Sequence, residues 1–160
     1  MEDMKKNEFE MEFLALAENE SLARIAVAAF IMPMDPDLEQ INDVKTAVSE
    51  AVTNSIIHGY EKKSGKVYLK CKREGTKFQV EIIDKGEGMK DVGLAMEPLY
   101  TSKPEQDRSG MGFSFMEAFM DHLSVESQWG IGTKVVMEKN IVSREDAVPK
   151  TPVMELNQMA

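Results

Sequence analysis

Glu50-Ala51-Val52-Thr53-Asn54-Ser55-Ile56-Ile57-His58-Gly59 is the stretch from which the rest of this 160-residue chain can be read. It lies in a strongly helical segment, where Glu50 and Asn54, four residues apart, stack on one face. A carboxylate beside an amide suits phosphoryl transfer, which needs a proton acceptor next to an oxygen ligand for magnesium. Alone the pair is weak, because most such residues simply face water. The flanking sequence decides the matter.

At about 100° per residue, Ile41, Val44, Val48, Val52 and Ser55 share one side of a helix expected over 37–60. Asp43, Glu50, Asn54 and, less closely, His58 fall roughly opposite, facing a cleft or water. Small Ala47 and Ala51 flank the pair and leave a ligand room to approach. Upstream, residues 8–16 alternate, with Phe9, Met11, Phe13 and Ala15 on one side, as in a half-buried strand. Asn19 and Ser21 are candidate caps for a helix over 20–32. That helix is apolar almost all round and so should pack on more than one side. Pro33 and Pro36 end it.

Downstream, 66–72 and 77–84 read as strands joined by a hairpin turn at Glu74-Gly75-Thr76. Residues 91–109 are largely polar, weakly periodic and carry Pro104, as expected of a mobile, lid-like loop. A helix over 113–121 and a second hairpin, 122–128 with 134–138, complete the pattern around Trp129-Gly130. Strand, helix, helix, hairpin, lid, helix, hairpin predicts an α/β two-layer sandwich: a mixed, mostly antiparallel sheet with helices on one face. Residues 1–139 should form one domain. The polar segment 140–160, with Pro149 and Pro152, is expected to be disordered or loosely attached.

The net charge of -9 argues against nucleic acid as a direct partner. A polyphosphate ligand would have to find its counter-charge in a few placed cations and a metal ion. Cys71 is the single cysteine, so no internal disulfide forms, and a reducing, cytoplasmic setting is the simplest expectation. The N-terminus has no signal-type apolar core. The longest apolar run, 25–34, is too short to span a bilayer, so no membrane role is expected.

Two Gly-x-Gly clusters, Gly86/Gly88 and Gly110/Gly112, bracket the loop that carries Lys103 and Arg108. Glycine there lets backbone N–H groups approach phosphates, and a helix N-terminus adds a favourable dipole. One such cluster is ordinary turn chemistry. Two of them around a cationic loop, after a helix bearing Glu and Asn, point to a nucleotide. The P-loop, Rossmann and eukaryotic-type kinase motifs are all absent.

Glu50…Asn54…His58-Gly59, Asp84-x-Gly86-x-Gly88, Ser109-Gly110-Met111-Gly112-Phe113 and Gly132-Thr133 resemble, in order and spacing, the four sequence boxes of the gyrase, Hsp90, histidine-kinase and MutL superfamily. Within it the chain is most similar to the small bacterial anti-sigma serine kinases. Residues 48–60 and Thr101-Ser102-Lys103-Pro104 resemble the sporulation branch more than the stress-response branch. The likeness covers about 9–139.

The resemblance implies a Bergerat-type ATP-binding fold and an ATP-dependent serine protein kinase that also sequesters a sporulation sigma factor and phosphorylates its anti-anti-sigma antagonist. Glu50 would be the general base and Asn54 a ligand of ATP-bound magnesium. Asp84 would accept from the adenine amino group, Gly86 and Gly88 would let the backbone pass close to the base, and Thr133 would support the adenine end. Lys103, Arg108, Gly110 and Gly112 would serve the phosphates. Arg24 would lie in the partner-binding surface, in a region expected to form a homodimer. The alternatives are a kinase of a general stress regulon, a histidine-kinase ATP-binding domain, and a non-enzymatic ATP-gated sigma binder. The histidine-kinase reading lacks a helical hairpin carrying a phosphoaccepting histidine.

Overall fold

The structure, a computed structural model, describes residues 6–60, 63–97 and 112–147. Strand β1 (Lys6–Leu14) leads into helix α1 (Asn19–Ile31), a 3-10 turn (Met32–Met34) and helix α2 (Leu38–Asn54). A π-helical turn (Ser55–Gly59) extends α2, and the hairpin β2 (Lys66–Glu74) and β3 (Lys77–Asp84) follows. The one-turn helix α3 (Val92–Ala95), helix α4 (Gly112–Phe119) and the hairpin β4 (His122–Gln128) and β5 (Gly132–Asn140) complete the described chain.

The five strands lie in the order β1-β2-β3-β5-β4. Every ladder among the described residues is antiparallel, so the mostly antiparallel sheet expected is found, without a parallel pair among those residues. The reason is connectivity. Both hairpins pair sequence neighbours, and β3 and β5 run in opposite senses where they meet.

Register puts one apolar set on a single face. Phe9 pairs with Cys71, Met11 with Leu69 and Phe13 with Val67; Cys71 then pairs with Val80, and Val80 with Met137. The helices cover this face. Ala23, Val27 and Ile31 of α1 and Val44, Ala47, Val48, Ala51 and Val52 of α2 are buried against it or one another. Each Val, Leu, Ile or Phe so buried contributes about 1.5–3 kcal/mol before conformational entropy is set against it. Burial also pushes the Cys71 thiol far above its usual range, which leaves it inert while the core stays closed. On the outer face, Glu10 opposes Lys70, and Glu12 and Lys66 pair diagonally at 3.2 Å.

A capping box starts α2. Gln40 N–H donates to Asp37 Oδ1 at 2.8 Å, and Asp37 N–H donates to Gln40 Oε1 at 3.2 Å. Helix α1 has no side-chain cap; Asn19, expected to provide one, instead donates from Nδ2 to the Leu14 carbonyl at 2.9 Å. Strand β5 runs through Asn140, and the next residues are held. Ile141 is buried, Ser143 Oγ lies 3.0 Å from Asp35 Oδ2, and the Arg144 guanidinium pairs with Asp35. The loose attachment expected from residue 140 therefore does not apply to this first segment, because an apolar anchor and an ion pair secure it. Residues 148–160 lie outside the described chain.

Candidate functional site

The inward alternation of β3, Phe78-x-Val80-x-Ile82-x-Asp84, carries a carboxylate onto the face that otherwise builds the core. Asp84 is only 4% exposed. Its Oδ1 accepts the Gly86 N–H at 3.0 Å, and the Ser55 hydroxyl and the Thr133 N–H also bond to it. Burial pushes the Asp84 carboxyl above the usual carboxylate range, while these three donors act in the opposite direction. A buried charge with this much support is a candidate for recognition rather than packing.

The π-helical turn delivers the rest of this wall. Its i→i+5 bond runs from Tyr60 N–H to Ser55 O at 3.2 Å. The turn brings Ser55 and Gly59 against Asp84, where a Cβ on Gly59 would sit 2.8 Å from the carboxyl carbon. The Gly59 carbonyl accepts from Glu87 N–H at 2.7 Å. At Gly86 a Cβ would fall 1.9 Å from that same carbonyl, so only glycine permits the approach. Gly88 has φ +74 and lies against the Gln128 carbonyl.

A cavity of about 430 Å³ opens beside Asp84, within the usual size range of small-molecule sites. Asn54, Ser55, Asp84, Gly88, Gly112 and Thr133 line it, as do Leu94 and Trp129. Glu50 stands one turn back along α2, half-buried, and is not on the lining wall. Gly112, the first residue of α4, joins the two functional groups of α2. A Cβ there would sit 3.2 Å from both Glu50 Oε2 and Asn54 Nδ2.

The structure thus brings Glu50, Asn54, Asp84, Gly86, Gly88, Gly112 and Thr133 to one place. Arg24 lies apart on α1, its Nε 3.2 Å from Glu20. Lys103, Arg108 and Gly110 lie outside the described residues, as does most of the expected lid. Its first part, 91–97, contains α3, with Asp91 Oδ1 capping the Leu94 N–H at 3.0 Å.

Sequence reading missed two hydroxyls. Ser55 bonds to Asp84. Ser127 Oγ lies 2.8 Å from Thr133 Oγ1 and accepts the Met89 N–H at 2.8 Å, tying the Gly88 turn to the second hairpin. Alternation in β4 places Ser127 inward, so pairing it with Thr133 was the signal that could have revealed it.

The donor set also fits a nucleotide-borne magnesium ion. Among the described residues no group of three or more His, Cys, Asp or Glu could hold a metal by itself. Asn54, on the cavity wall, offers one amide oxygen to an ion whose other ligands would come from phosphates and water. Among the described residues no helix is long and apolar enough to cross a membrane.

Residues 13–139 match the model of the histidine kinase-like ATPase domain, and the chain belongs to that family. Its curated relatives narrow this to the anti-sigma F branch. The anti-sigma F factor of Clostridium acetobutylicum is 53% identical over 143 residues, covering 89% of this chain and 100% of the relative. That of Clostridium beijerinckii is 54% identical over 143 residues, covering 88% and 100%. That of Thermoanaerobacter pseudethanolicus is 53% identical over 137 residues, covering 86% and 96%.

Solved structures support the fold. The RsbU and RsbW domains of a Mycobacterium tuberculosis protein align with TM-score 0.62 at 18% identity, over 84% of this chain and 32% of that longer one. The catalytic domain of histidine kinase ThkA aligns with TM-score 0.52 at 18% identity, over 87% of this chain and 97% of its own.

Proposed function

We propose that the chain is an ATP-dependent serine protein kinase and anti-sigma factor of the sporulation type. It would sequester a sigma factor in the cytoplasm and phosphorylate a small anti-anti-sigma protein on serine. The observation that carries this reading is the buried, triply bonded Asp84 in the wall of a cavity that Asn54 also lines, with Glu50 beside it. The family and the names of its relatives supply the direction.

Asp84 accepts a hydrogen bond from the adenine amino group. Guanine presents a carbonyl there, which would leave the carboxylate unpaired, so ATP is preferred. Asn54 would hold magnesium through one oxygen, and the ion would supply neutralisation of phosphate charge. Glu50 takes the proton as the serine oxygen attacks the γ-phosphorus and the bond to the ADP oxygen breaks. Lys103 and Arg108 would stabilise the transferring phosphoryl group, and Gly110 and Gly112 would let the backbone approach it. Arg24 belongs to the partner surface, and the protein works as a homodimer.

In a test with radiolabelled ATP and the antagonist protein, Glu50→Ala should cut phosphorylation by about 10²–10⁴-fold while ATP and sigma-factor binding persist. A wild-type chain that binds ATP but never labels the antagonist would establish the non-enzymatic binder instead.

A further inference from the structure

Trp129 is the only tryptophan in the chain. It occupies the β4–β5 turn with 51% of its surface exposed. Large aromatic rings are highly buried on average, so a half-exposed one held in place invites a binding explanation. Of the exposed large apolar residues in the described chain, only Leu94 and Trp129 line the cavity beside Asp84. Hydrogen bonds on both sides fasten the turn to the loop that follows Asp84. Gly130 N–H donates to the Glu87 carbonyl at 2.6 Å, and Met89 N–H donates to Ser127 Oγ at 2.8 Å. The Lys90 ammonium stands 4.5 Å from the indole centroid and restrains the ring. A flat, restrained aromatic surface therefore lines the same cavity as the carboxylate assigned to the base.

We infer that Trp129 is the stacking residue for the base, with Leu94 providing a further apolar wall. The assignment rests on the nucleotide reading of the cavity. Asp84 reads the edge of the base through a hydrogen bond, and Trp129 holds its face. Stacking tolerates any base, so Trp129 sets affinity and Asp84 sets identity.

The test uses the full chain, with calorimetry in magnesium buffer and tryptophan emission. W129A should weaken ATP and ADP alike, by about 5- to 150-fold, because both carry the same base. W129F should stay within about threefold of wild type, since a smaller ring still stacks. Competition by inorganic triphosphate, which has no base, should be unchanged in W129A, and nucleotide should alter wild-type emission. W129A binding within about twofold of wild type, or emission indifferent to a bound nucleotide, would overturn the assignment while leaving the nucleotide site intact. Absence of ATP binding by wild type would overturn the nucleotide reading itself.

Discussion

Asp84 stands between two demands. The base recognition proposed for Asp84 would need a carboxylate in a dry wall, and the fold must tolerate that buried group without a ligand. A carboxyl whose pKa is raised in the folded state binds its proton more tightly there than in the unfolded chain. Its contribution to stability therefore falls as pH rises from the ordinary carboxylate range through the raised value. Asp84→Asn removes that titration. The variant should gain stability relative to wild type as pH rises from about 4 toward neutrality, in urea unfolding monitored by circular dichroism. It should also lose at least about tenfold in ATP affinity by calorimetry. Unchanged affinity would remove Asp84 from the base-reading role. At this scale the convergence of Asn54, Asp84 and Thr133 on one cavity was legible because each falls in a recognisable spacing. Ser55, Ser127 and Trp129 were not. A hydroxyl in a helix or strand reads as ordinary, and a tryptophan in a turn reads as turn chemistry, until register and burial show what each touches.

The elements were legible wherever periodicity was strong. Alternation marked the strands, and a 3.6-residue pattern marked α2, whose capping box fixes its start. The π-helical turn at its end was not legible. One widened hydrogen bond barely changes the periodicity, yet it carries Gly59 to Asp84 and offers its carbonyl to Glu87. The mostly antiparallel sheet was legible from its two hairpins, whereas the meeting of β3 with β5 lies in no local pattern. Gly86 is where the π-helical turn and the loop after Asp84 touch. Gly86→Ala should force the two apart, costing about 1–3 kcal/mol in urea unfolding and weakening ATP binding in the same protein. Stability equal to wild type would mean that the close approach at Gly86 is dispensable.

At the scale of the whole molecule, α1 has a sealed inner side and an outer side that carries Leu22 and Ile25, at 50% and 62% exposed. The sequence marked this helix as apolar all round, and the single chain accounts for only half of that. We propose the outer side as the homodimer contact. Ile25→Glu should convert the protein to monomer in sedimentation velocity while leaving ATP affinity within about twofold, because α1 contributes nothing to the cavity lining. An unaltered sedimentation coefficient would place the contact elsewhere.

The two faces of the sheet leave different freedom for sequence change. On the inner face each side chain answers to a helix or to the cavity, and a change of size or polarity is felt at once. On the outer face, pairs such as Glu10 with Lys70 and Glu81 with Lys134 are bound mainly by opposed sign. The partners could exchange places, or both become other polar residues, at little cost. Drift should therefore gather on this charged face, leaving one side of the sheet to vary while the other holds the chemistry still.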